Sequence, residues 1–300
     1  MKLKNSNESL GLKILFPVMY GASLLLVVLR CLQLTKYIDS ETGFYIGGGA
    51  VNFLFYAVTV AVCLFFVAVS FLSSEGARLE TAALKDKGAS IAATAFGVSL
   101  VYDSLSSLID SFMLLDEMSV GAFNQGAELF KSMMATGVLP YALESIFALL
   151  SAVYIFILAK SFSKGSLAAH KNKFMALAPV AWVAFKLITR FVKQISYIKV
   201  SDLFLELIML AFMILFFVAL SQVTSGVYSD DSRWRITGLG LSGALLSFAV
   251  NVPRFILGIF ANDFVNKEYP FNLADCAFAV FAVFVALATV KNAQNNEIKD

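Results

Sequence analysis

Apolar residues fall in long blocks along this chain, separated by short polar stretches. Eight such blocks, each of about 20 residues or more, alternate with connections rich in lysine, serine and glycine. A helix of about 20 apolar residues is long enough to cross the ~30 Å hydrocarbon core of a bilayer. The pattern therefore predicts an all-α polytopic bundle with eight transmembrane helices, over residues 12–34, 46–72, 89–115, 138–160, 174–198, 202–224, 236–260 and 271–290.

Composition supports this class of protein, because 59% of the residues are apolar and only 15% are charged. Soluble domains average about 25% charged residues. The whole chain, 1–300, is therefore expected to be one integral membrane domain, and residues 116–137 to form an ordered loop or a short surface helix. The third and fifth blocks contain ionisable residues, so seven or six spans are the alternative interpretations.

The distribution of basic residues predicts an orientation. With eight spans, the ends and loops on one side contain fourteen lysines and arginines, and the loops on the other side contain four. Cytoplasmic loops are enriched in these residues, so both termini are expected in the cytoplasm. The first block lacks the small-residue cleavage pattern of a signal peptide, and we interpret it as a retained helix.

Successive helices also predict four hairpins of the same orientation. Arg30 and Arg190 each precede a tyrosine by seven residues, and Arg254 lies at the same place in the fourth pair. Parallel repeats of this kind tend to surround an axis along the membrane normal. Three of the four return helices share an acidic residue in their first turns: Glu144, Glu206 and Asp275.

Polar side chains recur at helical spacing on the odd-numbered helices, so each set lies on one face. A charged side chain at the centre of an isolated spanning helix costs ~2.5–3.5 kcal/mol on insertion scales, so these faces are expected to turn away from lipid. One hypothesis is a belt of buried ion pairs in which Glu144, Glu206 and Asp275 bind the basic residues. The other is an outward-facing pocket for an anionic group; its candidate ligand-binding residues are Arg30, Arg190, Arg254, Lys186, Asp103, Asp110 and Asn251.

Asp103 and Asp110 are also candidates for a cation or proton site, because intramembrane carboxylates form proton relays. No cofactor or metal site is expected, since the chain has a single histidine, His170, and its three cysteines show no CxxC spacing. Residues 240–243, Gly-Leu-Ser-Gly, match the GxSG pattern of rhomboid proteases, but no later histidine is available as a base. We therefore expect no enzymatic activity and attribute these small residues to helix packing.

Two stretches of the chain carry a resemblance. They are residues 178–190, which begin Ala-Pro-Val-Ala-Trp, and residues 200–217, which begin Val-Ser-Asp-Leu-Phe. Together they resemble multi-pass membrane proteins, themselves uncharacterised, of anaerobic Gram-positive bacteria. The resemblance covers about 50 residues well. It implies a bacterial cytoplasmic membrane and no known activity.

Two functional hypotheses follow. The leading one is a membrane protein that binds or transports a small anionic molecule through a polar centre. The alternative is a non-catalytic structural, sensory or accessory subunit; a membrane enzyme acting on lipid head groups ranks last. The expected partners are the lipid bilayer and either a small-molecule ligand or a membrane partner protein, and no nucleic acid.

Overall fold

The structure is a computed structural model that describes residues 2–39, 44–73, 85–116, 126–165, 173–192, 200–227, 231–260 and 271–297. These residues form helices and short connections, with one antiparallel bridge between Ile38 and Tyr45 in the first loop. The helices are α1 (Lys2–Leu32), α2 (Gly49–Ser73), α3 (Lys87–Asp116), α4 (Gly126–Thr136), α5 (Val138–Lys164), α6 (Ala178–Val192), α7 (Val200–Thr224), α8 (Ser232–Trp234), α9 (Gly240–Phe260) and α10 (Leu273–Glu297). Two π-helical turns, Gln33–Tyr37 and Arg235–Leu239, continue α1 and join α8 to α9.

The predicted fold class, an all-α polytopic bundle, is confirmed. Seven helical segments among the described residues are long and apolar enough to cross a membrane, and they match seven of the eight predicted spans within a few residues. The remaining prediction, 174–198, corresponds to α6, which has 15 described residues. At 1.5 Å per residue α6 extends about 22 Å, less than the ~30 Å bilayer core. Residues 193–198 lie outside the described residues, so the eighth span stays a prediction.

Six helices form a closed ring. Going round it, α3 packs against α5, α5 against α6, α6 against α7, α7 against α9, α9 against α10, and α10 against α3. These six helices are the second, third and fourth predicted hairpins, and α6 is the first helix of the third. Residues 116–137, predicted as a loop or surface helix, contain α4, which packs on α5.

The first hairpin lies outside this ring, which corrects the expectation that all four hairpins surround one axis. Helix α1 packs against α9, and α2 packs against the π-helical turn Arg235–Leu239. Helix α2 contains no Asp, Glu, Lys, Arg or His, and it is the least enclosed of the seven spans. Because it has no charge to bury, α2 can face lipid without an electrostatic cost.

An aromatic layer fills the ring at one depth. Phe96 of α3 stacks on Phe217 of α7 and Phe281 of α10, with ring centroids 6.0 and 5.3 Å apart. Trp182 of α6 lies 6.0 Å from Phe96, and all of these side chains are buried. Helix α3 passes from this layer to Asp103 in seven residues, about 10 Å. The aromatic side chains therefore fill the centre of the helix ring on one side of the ionisable residues.

Small residues let the first hairpin approach the ring closely. A Cβ atom added to Gly238 would lie 3.2 Å from the Cα of Val67 and 3.3 Å from the carbonyl oxygen of Phe66, both backbone atoms of α2. Ser242, the serine of the Gly-Leu-Ser-Gly sequence, is buried and donates to the carbonyl oxygen of Cys63 at 3.4 Å. These contacts fit a packing role for the small residues.

Asp86 ties the start of α3 to the end of α10. One of its carboxylate oxygens accepts a hydrogen bond from the backbone N–H of Ala89 at 3.1 Å, and the other lies 3.0 Å from the ammonium group of Lys291. Burial alone would raise the pKa of Asp86, but the bonds from Lys291 and from the N–H groups of Gly88 and Ala89 hold this pKa below its ordinary value.

Replacing Gly238 by valine should destabilise the protein by about 1–3 kcal/mol, because overpacking forces the backbones of two helices apart. The same replacement at Gly21 is the matched control, since its added Cβ would have no atom within 4 Å. Chemical unfolding in detergent measures both. Equal effects of the two substitutions would contradict the close approach of α2.

Asp86 should contribute stability that is present above the ordinary pKa of an aspartate and lost as the pH falls through its lower pKa in the folded protein. The thermal midpoints of wild type and Asp86→Asn should therefore differ at neutral pH and converge in acid. Asp231→Asn, at the more exposed pair with Arg235, is the control for loss of a surface carboxylate and should change the midpoint less at neutral pH. A wild-type advantage that stays constant down to acid pH would refute this role.

Candidate functional site

The ionisable residues of the ring helices meet beside the aromatic layer, with Lys186 of α6 at their centre. Its ammonium nitrogen lies 2.6 Å from Oδ1 of Asp275 on α10 and 3.8 Å from Oδ1 of Asp103 on α3. All three side chains are buried. Lys186 therefore crosses the ring and connects one helix from each of the three ring hairpins.

Asp103 has two further donors. The indole Nε1 of Trp182 and the amide Nδ2 of Asn272 each donate to it at 2.9 Å. The sequence placed Asp103 among the candidate ligands but gave no signal for Trp182 or Asn272, which are an aromatic residue in an apolar block and an asparagine at a helix start. Donors on several sides therefore satisfy both carboxylate oxygens of Asp103 without exposure to water.

Glu206 of α7 is clamped by two arginines. The Nε of Arg190 donates to its Oε1 at 2.6 Å, and both terminal nitrogens of Arg254 donate to its Oε2 at 3.2 and 3.3 Å. The side chain of Glu206 is 1% exposed, and those of Arg190 and Arg254 are 12% and 8% exposed. The two arginines are thus more accessible than the carboxylate they bind; Arg190 lies in the last turn of α6, and Arg254 lies six residues before the end of α9.

Glu144 of α5 has a different environment from the other acids. Its Oε2 lies 2.8 Å from the hydroxyl oxygen of Thr189, and no ion pair at 4 Å or less links it to a described residue. The sequence predicted an ion pair here. Arg190 follows Thr189 on α6, but its guanidinium group is directed at Glu206. The described residue that bonds to Glu144 is therefore Thr189.

Arg30 lies apart from these residues, at the junction of the first hairpin with α7. It forms a salt bridge with Asp202, donates to Oε1 of Gln33 at 3.0 Å, and lies over the ring of Phe55. Sequence reasoning missed Asp202 as a partner, although the acid is in the first turn of α7, where a carboxylate also favours the helix dipole. The structure does not bring Arg30 to the same place as Arg190 and Arg254.

Asn251, another predicted ligand residue, bonds to the backbone of its own helix and of the segment before α10. Asn251 of α9 accepts a hydrogen bond from the backbone N–H of Asn272 at 3.2 Å and donates to the carbonyl oxygen of Ser247 at 3.2 Å. It thereby fixes the start of α10, where Asn272 caps the backbone N–H of Asp275 at 3.0 Å. Its amide is used by these bonds and by a weak one to the sulfur of Met209.

Asp110 is exposed and lies outside the cluster, which corrects its assignment to the same buried face as Asp103. Beyond Asp103, the buried face of α3 consists of serines that bond to α5. Ser104 donates to the carbonyl oxygen of Ser145 at 2.9 Å, and Ser111 donates to that of Val138 at 3.0 Å. The tight packing of these serines on α5 turns Asp110 outward.

An apolar cleft of about 470 Å³ lies outside the ring, between α1, α9 and α10. It contains no charged side chain and does not coincide with the arginines of the predicted anion pocket. Within the part of the chain that the structure describes, no group of three or more histidine, cysteine or acidic side chains is placed to hold a metal ion. Residues that line the cleft include Met19, Tyr20, Val27, Phe248, Val283 and Phe284.

No protein-family model, curated protein or solved structure matches this chain. The fold and the ionic cluster are therefore the basis for any functional assignment. The resemblance to membrane proteins of anaerobic Gram-positive bacteria stays a prediction.

Lys186→Met should destabilise the protein by about 3–5 kcal/mol, because it leaves Asp103 and Asp275 buried without their shared cation. Lys291→Met is the matched control, since the side chain of Lys291 is 61% exposed and its pair with Asp86 should contribute at most about 1 kcal/mol. Chemical unfolding in detergent compares the two. Similar losses would show that Lys186 does not hold the ring together.

Proposed function

We propose that this integral membrane protein binds a small molecule bearing a carboxylate or another compact anionic group, between Arg190 and Arg254. The observation that carries the proposal is the convergence of these two arginines, from different hairpins, on the single carboxylate of Glu206. Planar guanidinium groups recognise carboxylates through paired hydrogen bonds. The site already holds such a group, and Glu206 is its internal occupant.

Exposure supports these arginines as the residues that a ligand would reach first. The side chains of Arg190 and Arg254 are 12% and 8% exposed, whereas those of Lys186 and Arg30 are each 1% exposed. A ligand that enters from the end of α6 and α9 therefore meets the clamp before it meets the deeper ions.

The charges of the clamp favour an anion. Guanidinium groups only donate hydrogen bonds, and those of Arg190 and Arg254 are directed at anionic oxygens. An anion either joins Glu206 in the clamp or displaces it.

The proposed setting is a bacterial cytoplasmic membrane with both termini in the cytoplasm, which the distribution of lysine and arginine supports. The ends of α6 and α9 then face the extracytoplasmic side, so the clamp receives its ligand from outside the cell. We propose a binding or transport role without catalysis, since the argument requires ion pairing alone.

A ligand panel tests the proposal. Purified wild-type protein is titrated with small carboxylates, phosphates and sulfonates while thermal unfolding is followed. An anion that binds should raise the unfolding midpoint, and Glu206→Gln should have a lower midpoint alone but a larger anion-induced rise, because the internal competitor is gone. Arg254→Gln should weaken binding by about tenfold to a hundredfold, since hydrogen bonds to charged groups contribute about 1.5–3 kcal/mol.

Arg30→Gln is the matched control. It also removes a buried arginine paired with an acid, but away from the clamp, and it should lower stability without changing the affinity for the anion. If Arg30→Gln weakens binding as much as Arg254→Gln does, the effect is one of folding. If no anion acts on either wild type or Glu206→Gln, the proposal is wrong.

A structural or accessory subunit is the second candidate. The observation in its favour is that each of the buried basic residues Arg30, Lys186, Arg190 and Arg254 already bonds to a carboxylate of the described residues. This role predicts that a defined membrane partner co-purifies in mild detergent. It also predicts that anions have no effect on the unfolding midpoint of the complex.

A further inference from the structure

We infer that Glu144 is a proton-binding site, at which the buried network takes up and releases one proton. This site goes beyond the proposed anion clamp and stands whether or not the clamp binds an anion. The inference rests on the count of buried charges, on the identity of the one group among the described residues that bonds to Glu144, and on the geometry of that group.

The charges of the network balance without Glu144. The four buried or half-buried basic residues are matched by four acids: Asp103, Asp202, Glu206 and Asp275. Glu144 is a fifth buried acid, 4% exposed, within the part of the chain that the structure describes. If all five acids were ionised, the described residues of the network would carry one more negative than positive charge. One proton on Glu144 makes this set neutral.

Hydrogen-bond partners separate Glu144 from those four acids. Asp103, Asp202, Glu206 and Asp275 each receive bonds from ammonium, guanidinium, amide or indole groups, which donate and cannot accept. Each of these four carboxylates is therefore held by at least one group that can only donate to it. Glu144 instead bonds to a hydroxyl, a group that accepts as readily as it donates.

The position of that hydroxyl fits a protonated acid. The oxygen of Thr189 lies 2.8 Å from Oε2 of Glu144 and also 2.8 Å from the carbonyl oxygen of Lys186. A hydroxyl has one hydrogen, and the carbonyl oxygen only accepts. When Thr189 donates to Lys186, the short contact with Glu144 requires that the glutamic acid donate. When Glu144 is ionised, Thr189 must turn its hydrogen to it and release the carbonyl.

Neighbouring charges act on Glu144 in both directions. Asp103 is an acid like Glu144, whereas Lys186 and Arg190 are basic. Those two cations already bond to Asp275 and Glu206, which reduces their influence on a further acid. The α-helices that pack on α5 are α3, α4 and α6. The charged and titratable residues of these four helices besides Glu144 are Lys87, Tyr102, Asp103, Asp110 and Asp116 of α3, Glu128 and Lys131 of α4, Tyr141, Tyr154, Lys160 and Lys164 of α5, and Lys186 and Arg190 of α6.

Infrared difference spectroscopy of the full-length protein in lipid nanodiscs tests this site. Between weakly acidic and weakly alkaline pH, the wild type should gain and lose the C=O stretch of one protonated carboxylic acid. That band should be absent from Glu144→Gln and present in the matched variant Glu206→Gln. A wild type with no such band, or a band that persists in Glu144→Gln, overturns the inference.

The unfolding midpoints of the variants are a second test. Glutamine is a neutral mimic of a protonated glutamic acid, so Glu144→Gln should unfold near the wild-type midpoint, whereas Glu206→Gln should not. An equally unstable Glu144→Gln would show that the native side chain is ionised and would overturn the proposal. Thr189→Val provides a readout with Glu144 retained: the C=O band should move to higher frequency as its hydroxyl partner is lost, and an unmoved band counts against the assigned geometry.

Discussion

The ammonium group of Lys186 is buried among six helices, and the positions of several other residues follow from how it is neutralised. Asp275 and Asp103 bind it from α10 and α3, which fixes the rotation of α6 about its own axis. Residues four apart lie on one face of a helix, so this rotation also directs Trp182 into the aromatic layer and Arg190 toward Glu206. The aromatic closure of the ring and the arginine clamp therefore depend on the same ion triad.

The ion pairs also account for how the hairpins hold together in a bilayer. Lipid gives little hydrophobic driving force for helix association, so packing and interhelical polar bonds carry more of it. Lys186 links the third hairpin to the second and fourth, Arg254 links the fourth to the third, and Arg30 links the first to the third through Asp202. Among the described residues, the first hairpin has one such ionic link, at one end, and it packs outside the ring.

The sequence was sufficient to predict the helices, because a block of about 20 apolar residues has the length of one membrane-spanning helix. It also placed the arginines and acids of the return helices at similar depth. It did not predict which acid meets which cation. That choice depends on helix rotation and on competing neighbours: Arg190 turns to Glu206, Thr189 is left for Glu144, and Asp202 binds Arg30. Asp110 was misplaced because serine packing, which has no periodic signal, turns that end of α3 outward.

The clamp on Glu206 has a consequence for selectivity. Because Glu206 is tethered to α7, it is present at the two arginines at an effective concentration on the order of millimolar or higher. A free anion that offers only a carboxylate must exceed that concentration to compete. Anions with additional groups that contact the surrounding helices compete at far lower concentrations. Competition from Glu206 therefore excludes abundant simple ions and allows larger, better-matched anions to bind.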